Sequence, residues 1–495
     1  MTPAGRLLSG ASLALIVALT APGAFAAPAP PASAAAAADR PATAAELARL
    51  VNIPYERFTL PNGLRVLVHT DRKAPVVAVS IWYGVGSKHE PAGRTGFAHL
   101  FEHLMFNGSE NAPGDFFKPL QEVGATDFNG TTWFDRTNYF QTVPTGALDR
   151  ALFLESDRMG HLLGAVTQEK LDNQRGVVQN EKRQGDNQPF GLVEYVINQN
   201  LFPPGHGYRH NTIGSMADLD AASLADVQRW FTDNYGPNNA VLVLAGDIDA
   251  RTARGLVEKY FAAIPRGPRV APVSDGPVTL KAPVSLVHKD RVATTRIYRS
   301  WSTPGLNDLS SVALEAGVSV LGGLSSSRLD NALVRDEKIA VSVSADYGVF
   351  QSVGVLTLAA DVRPGVSPDL VAKRMDEVIA GLVRSGPTAE ELDRARRVEI
   401  AGKIRQTEAV GGFGGKAVTL AEGELYANDP DLYRKRLDAW AALTPSAVQS
   451  ALKTWLSRPV LSLRVDPGER DLDGGPMGGD TAARGAVIDR TGVKE

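Results

Sequence analysis

The feature that most constrains the fold of this chain is a block of sequence that occurs twice. Ser223-Leu-Ala-Asp-Val-Gln-Arg-Trp-Phe precedes an apolar strand at Val241, and Thr444-Pro-Ser-Ala-Val-Gln-Ser-Ala-Leu, 221 residues further on, precedes another at Leu461. The chain has 495 residues, which exceeds the roughly 250–300 residues that one hydrophobic core can serve. We therefore predict two diverged copies of one α+β unit.

Local composition sets the boundaries of these units. The first residues combine a basic start, a short apolar run and Ala24-Phe25-Ala26, which is typical of a cleaved export signal. The apolar run is shorter than the roughly 20 residues of a membrane anchor, so we expect a periplasmic or secreted protein without a stable membrane span. The expected order is a signal peptide (1–26), an Ala/Pro-rich tether (27–50), a first domain (51–264), a Pro/Gly-rich linker (265–277), a second domain (278–468) and a disordered tail (469–495).

Charge and cysteine content exclude several kinds of site. A formal net charge of -3 provides no general attraction for nucleic acid. The absence of cysteine excludes disulfides, thiolate ligands and a thiol nucleophile. Any metal site must therefore be built from His and carboxylate side chains.

One predicted helix carries the pattern of a metal site. Apolar residues recur at helical spacing from Thr95 to Asn107, and this segment contains His99, Glu102 and His103. Residues four apart share a helix face, so both imidazoles can reach one ion, and Glu102 can reach a water on it. This His-x-x-Glu-His order is the inverse of the His-Glu-x-x-His zinc motif. The alternative is an amphipathic helix whose His residues only cap or pack.

Two His residues leave a zinc site one ligand short, since catalytic zinc has three protein ligands and an open position for water. The spacing of the residues does not choose among Glu155, Asp157, Glu169 and Glu181. The chain also contains Gly411-Gly-Phe-Gly-Gly415, but its glycine spacing and Ala417 do not fit a phosphate loop. We expect a flexible or close-packed turn there.

The chain resembles the pitrilysin/insulinase (M16) family of zinc metallopeptidases, and in particular its two-domain bacterial and mitochondrial processing peptidase-like members. The resemblance runs from about residue 55 to residue 467. It is carried by four segments, Thr59-Leu-Pro-Asn-Gly-Leu-Arg-Val, Gly96-Phe-Ala-His-Leu-Phe-Glu-His-Leu-Met-Phe-Asn-Gly, Val177-Val-Gln-Asn-Glu-Lys-Arg and Asn234-Tyr-Gly-Pro-Asn-Asn-Ala.

The resemblance implies a site and a fold. His99, His103 and Glu181 would bind Zn²⁺, and Glu102 would be the catalytic base. Two homologous domains, each a mostly antiparallel sheet packed with helices, would face each other across a cavity that holds a peptide. The peptide would pair with an edge strand at residues 125–132, where Asn129 is the expected polar contact.

Two positions depart from the family pattern. Gln174 stands where the family usually has an outer-shell Glu, which affects the tuning of the zinc. Active members also use an Arg–Tyr pair from the second domain to hold substrate. Arg335 matches the Arg, but Val341 stands where the Tyr is expected, and Tyr347 lies further along.

The resemblance and these departures together lead to a functional hypothesis. The chain would be a metalloendopeptidase acting on extended or unfolded peptides, and the zinc-bearing subunit of a two-chain enzyme. A homologous partner chain would supply the Arg–Tyr pair, unless the active form is a homodimer. The alternatives are a non-catalytic assembly protein of the same fold and zinc-dependent hydrolysis of a non-peptide amide.

Overall fold

The structure, a computed structural model, describes residues 42–273 and 275–479. The predicted signal peptide, most of the tether and residues 480–495 of the predicted tail lie outside the described residues. The described residues from 44 onward form one compact unit. No helix among the described residues is both long enough and apolar enough to cross a membrane.

The first half of the described chain is an α+β structure. Its strands are β1 (Glu56–Thr59), β2 (Arg65–Thr70), β3 (Val76–Tyr83), β4 (Thr126–Thr132), β5 (Thr137–Pro144) and β6 (Ala240–Gly246). Its helices are α1 (Ala44–Ala48), α2 (Phe97–Leu104), α3 (Phe117–Gln121), α4 (Leu148–Gly160), α5 (Gln168–Asn187), α6 (Val193–Leu201), α7 (Met216–Asp220), α8 (Leu224–Asn234) and α9 (Ala250–Phe261). β1 and β2 form the hairpin that the Asn62-Gly63 turn predicts.

The second half repeats this plan after the predicted linker, whose described residues, 265–273 and 275–277, form neither helix nor strand. Its strands are β7 (Val284–Asp290), β8 (Arg296–Pro304), β9 (Ala340–Val349), β10 (Val353–Val362) and β11 (Leu461–Pro467). Its helices are α10 (Ser311–Val318), α11 (Pro368–Ser385), α12 (Ala389–Gln406), α13 (Lys416–Ala427), α14 (Leu432–Ala442) and α15 (Pro445–Leu456). Two π-helical segments, Ser319–Gly323 and Asp330–Asp336, lie between α10 and β9.

The two sheets have the same topology, which confirms the repeat. The first sheet has the order β1-β2-β6-β3-β5-β4, and the second has the order β7-β11-β8-β10-β9. In each half the first and last strands of the repeat pair in parallel, β2 with β6 and β7 with β11, and all other pairs are antiparallel. Among the strands of the described residues, β1 of the first sheet has no counterpart in the second.

The halves exchange helices across two shared cores. Leu420 of α13 packs with Trp82 and Val243 of the first sheet, on the face opposite to α2. In return, Val196 of α6 packs with Leu463 of the second sheet. Because each half covers the other half's sheet, burying both faces of the central strand β6 requires the whole chain.

At both ends of the described chain, residues that the sequence places in the tether or the tail are part of the folded structure. The predicted tether reaches residue 50, but Ala44 and Ala48 of α1 are buried in the shared core with Leu420. The predicted disorder is wrong for residues 469–479, because Arg470 pairs with Asp290 at 2.6 Å and Met477 is buried. Both segments contain a few apolar or charged residues whose partners come from distant parts of the sequence.

Candidate metal centre

The helix α2 is held at its beginning by a buried carboxylate. Gly96 adopts a positive φ of 87°, and a Cβ at this position would lie 2.6 Å from the carbonyl oxygen of Ile213. The Glu90 carboxylate accepts hydrogen bonds from the N–H groups of Gly96, at 3.0 Å, and of Ala98, at 2.7 Å. These bonds satisfy donors that a helix start leaves unpaired and fix the orientation of α2.

The tertiary structure brings together three donors that are separate in sequence. Oε2 of Glu181, on α5, lies 3.7 Å from Nε2 of His99 and 3.5 Å from Nε2 of His103. The three ligand atoms all lie within 4.8 Å of one another. Ligand atoms of a tetrahedral zinc site with bonds near 2.0–2.1 Å are separated by about 3.3 Å. The spacing therefore suits one zinc ion with little rearrangement.

The protonation state of His99 also suits a cation. Burial, with a smaller contribution from neighbouring His103, lowers the pKa of His99 to about 3. A neutral imidazole keeps the lone pair that a metal ligand needs. On the other ring, Nδ1 of His103 lies 3.3 Å from Oε1 of Gln174. Nδ1 of His99 is buried and has no hydrogen-bond partner among the described residues.

Glu102 lies beside these donors and is tied to the edge strand β4. Thr132 Oγ1 donates a hydrogen bond to Oε2 of Glu102 at 2.5 Å. Burial raises the pKa of Glu102 to about 7, although the Thr132 hydrogen bond and the charge of Arg136 act in the opposite direction. A carboxylate with a pKa near neutral is suited to exchanging protons with a reacting group.

The other carboxylates that the sequence left open lie elsewhere. Both oxygens of Glu155 bind the guanidinium of Arg158. Asp157 accepts hydrogen bonds from Ser109 and Asn111. Glu169 is exposed in the first turn of α5, about 18 Å along the helix from Glu181. Of these candidates, Glu181 is the one that reaches the two His residues.

The donors open into a cleft of about 680 Å³ at the free edge of the first sheet. Its lining runs from His99 to Glu181 and thus comes entirely from the first half of the chain. Asn129 of β4 is part of the lining, and its Oδ1 accepts the N–H of Gly130 at 2.8 Å. The cavity between the halves that the resemblance implies is therefore not the cleft at these ligands.

The expected substrate clamp is not at this site. Arg335 lies on the π-helical segment Asp330–Asp336, pairs with Asp330 at 2.9 Å and is 54% exposed. Val341 is 52% exposed at the start of β9. Tyr347 donates its hydroxyl to the carbonyl of Pro304 at 2.8 Å. None of the three lines the cleft.

Sequence reasoning missed Thr132 as a partner of Glu102. The signal that could have found it is strand alternation, because Phe128 and Gly130 contact Phe117 and Phe106 on the α2 side of the sheet. Residue 132, two positions further along β4, must then face α2 as well. Which residue of α2 it meets is decided only by packing.

Comparisons with known proteins agree with this architecture. The insulinase (peptidase family M16) model matches residues 65–206, and the peptidase M16 inactive domain model matches residues 221–399. The zinc protease PqqE of Helicobacter pylori is 30% identical over 366 residues, which cover 72% of this chain and 80% of that protein.

Solved structures have the same fold. A protease from Helicobacter pylori superposes with a TM-score of 0.77 at 25% identity, over 84% of this chain and all of the other. The first half of the periplasmic protease PqqL from Escherichia coli gives a TM-score of 0.68 at 19% identity, over 84% of this chain and 92% of the other. The two family matches and the Helicobacter pylori relative, which is named a zinc protease, show that the chain belongs to the M16 (insulinase) peptidase family.

Proposed function

We propose that this chain is a zinc-dependent metalloendopeptidase that cleaves extended or unfolded peptides. The observation that carries the proposal is the convergence of His99, His103 and Glu181 beside Glu102 and the free edge strand β4. The three donors would hold the ion, and bound zinc would supply a water of lowered pKa and polarise the scissile carbonyl.

The chain's own residues would perform the remaining tasks. Glu102 would take a proton from the attacking water and pass it to the leaving amine. The hydrogen bond from Thr132 would keep the Glu102 carboxylate turned toward the donors. The unpaired backbone of β4 would bind the peptide by strand addition, with Asn129 releasing the N–H of Gly130 to a substrate carbonyl.

Strand addition favours unfolded substrates because it requires an extended main chain. A folded protein rarely offers such a segment, since its backbone groups are already paired. It also makes recognition depend on main-chain hydrogen bonds more than on side-chain identity.

The activity is tested with Glu102→Gln, which keeps the shape of the side chain and removes the base. Zinc-loaded protein, assayed together with any chain that co-purifies with it, should cleave an unfolded protein substrate, and the variant should lose about 10²–10⁴-fold in kcat while binding zinc equally well. Glu122→Gln, a change of an exposed residue, is the matched control. Equal turnover by wild type and Glu102→Gln would refute the proposal and favour the assembly-protein alternative.

The same proposal includes a second chain. Arg335 and Val341 do not reach the cleft, which has walls from the first half only, so a clamp on the substrate would have to come from another molecule. A homologous chain with an Arg–Tyr pair is the proposed partner, and a homodimer is the alternative. Native co-purification should recover that chain, and mixing should raise activity. Full activity of the purified single chain would contradict this part and leave the zinc chemistry intact.

We also propose export to the periplasm or the medium, supported by the signal-like residues 1–26. Cell fractionation with N-terminal sequencing tests this proposal. The mature chain should begin just after Ala26. A chain that retains its N-terminus in the cytoplasm would contradict it.

A further inference from the structure

A glycine-rich loop from the second half lies against the first sheet, close to β4. Residues 409–417, here called the glycine loop, are closed by hydrogen bonds from Lys416 N–H to the Ala409 carbonyl and from Ala417 N–H to the Val410 carbonyl, both at 3.0 Å. A Cβ at Gly411 would lie 2.5 Å from Thr142 Oγ1 and 2.7 Å from Cβ of Ala78. The loop is therefore packed on the sheet surface, where only glycine fits.

This tightly packed loop displays one large apolar side chain. Phe413 is 68% exposed, and its ring meets Phe140 of β5 edge to face, with centroids 4.9 Å apart. Next to it, a Cβ at Gly412 would lie 3.9 Å from Cγ of Asp127, at the irregular end of β4 where Asp127 has a φ of 52°. An exposed aromatic ring on a loop packed against the sheet suits contact with a ligand better than core packing.

The position of Phe413 relative to β4 suggests which ligand it contacts. Phe128, Gly130 and Thr132 face α2, whereas Phe140, the β5 partner of Asn129, contacts Phe413 on the other face of the sheet. A peptide added along β4 would also alternate, with one set of side chains toward the zinc donors and the other set toward the side of the sheet that carries Phe413.

We propose that Phe413 forms a subsite for an apolar side chain of the peptide bound along β4. This inference rests on the proposed peptidase function. The reacting atoms lie beside Thr132 and Glu102, and the glycine loop lies beside residues 127–129 of β4. An added peptide strand and β4 both rise roughly 3.3 Å per residue, so their positions correspond one to one. The subsite would therefore take a side chain about three to five positions from the cleaved bond. The ligand class is an extended peptide with a large aliphatic or aromatic residue at that position.

The test compares the cleavage specificity of wild type, Phe413→Ser and the control Leu370→Ser. Leu370 is also an exposed apolar residue of the second half, at 50%, but it lies on α11 away from β4. Each zinc-loaded protein digests a denatured protein mixture, and product sequences give the preference at each position. Wild type and control should favour apolar residues at one position three to five residues from the cut. Phe413→Ser should lose this preference, with about a tenfold lower kcat/KM for peptides that contain it.

Identical specificity in all three proteins would overturn the inference, as would the lack of a distal apolar preference in wild type. Failure of the proposed function would look different, because wild type would then show no zinc-dependent cleavage. In that case peptide binding, rather than cleavage, tests the subsite. The affinity of Glu102→Gln is measured for a peptide with the apolar residue and for the same peptide with serine in its place. Both measurements are repeated with Phe413→Ser added. Equal affinities would refute the subsite. The subsite would also be refuted if Phe413→Ser no longer bound the second chain but kept the wild-type peptide preference, because Phe413 would then contact the second chain.

Discussion

The side-chain oxygen of Gln174 lies 3.3 Å from Nδ1 of His103, while Nε2 of the same ring lies 3.5 Å from the Glu181 carboxylate. An amide oxygen can only accept, so this contact selects the tautomer with the proton on Nδ1 and leaves Nε2 free for a metal. Gln174 thus contacts His103 at the position where the resemblance implies a Glu, but without the negative charge.

Replacing Gln174 should weaken metal binding. Gln174→Ala removes the acceptor for Nδ1–H of His103, and loss of such a partner typically reduces metal affinity about ten- to hundredfold. Gln174→Glu should bind metal at least as tightly as wild type, because a carboxylate makes the imidazole more basic. Competition with a chromophoric zinc chelator measures both affinities.

Gln168→Ala is the control for this series, since Gln168 is an exposed residue of the same helix. Its zinc affinity should equal that of wild type. If Gln174→Ala also binds zinc like wild type, the hydrogen bond to His103 does not orient the ligand.

Replacing Glu181 should remove the third ligand. Glu181→Gln should abolish the tight one-to-one zinc binding, because a neutral amide is a much poorer ligand than a carboxylate. Metal content after gel filtration, together with far-ultraviolet circular dichroism, separates loss of metal from loss of fold.

Glu169→Gln provides the comparison on the same helix α5, where the sequence alone left Glu169 and Glu181 as equal candidates. This variant should retain one zinc per chain. Retention of zinc by Glu181→Gln, or its loss in Glu169→Gln, would show that the ligand assignment is wrong.

The ion pair of Asp71 with Lys416 should make stability depend on pH. Both side chains are largely buried, and the pair joins the first half to the start of α13. Burial acts to raise the pKa of Asp71, but hydrogen bonds from Lys416 and from the N–H of Lys73 hold it below its ordinary value. A carboxyl group whose pKa is lower in the folded than in the unfolded state adds stability at pH values above its unfolded-state pKa of about 4. This stability is lost as the pH falls through the pKa of the folded state.

Asp71→Asn should therefore lower the free energy of unfolding at pH 7 by about 1.5–3 kcal/mol, and the difference from wild type should shrink below about pH 4. Urea unfolding from pH 7 to pH 3 measures it. Asp247→Asn removes one of the two carboxylates that pair with the exposed Arg72 and should cost less than about 1 kcal/mol. Equal losses in the two variants would contradict a stabilising role for the buried pair.

Local patterns in the sequence predicted most of the elements. The periodicity around His99 predicted the helix α2, and the Asn62-Gly63 turn predicted the hairpin of β1 and β2. The repeated block predicted two similar units, and the sheets indeed share one strand order. Such features depend on residues only a few positions apart or on the similarity of two segments, so the sequence is sufficient.

These local patterns did not predict the contacts between segments that are distant in sequence. Arg470 and Met477 are ordered because their partners lie far away in the sequence, which a Gly- and Asp-rich composition does not reveal. The exchange of α6 and α13 between the two sheets was likewise not visible in either repeat alone.

The sequence by itself determined that His99, Glu102 and His103 share one helix, because residues three and four apart on a helix are neighbours whatever surrounds them. Only the tertiary structure decided that Glu181 joins the two His residues and that Thr132 meets Glu102. It also decided that Phe413 lies near the far end of β4. These relationships depend on how α5, β4 and the glycine loop pack against the first sheet. Packing is set by the shapes of all the buried side chains together, and no local spacing encodes it.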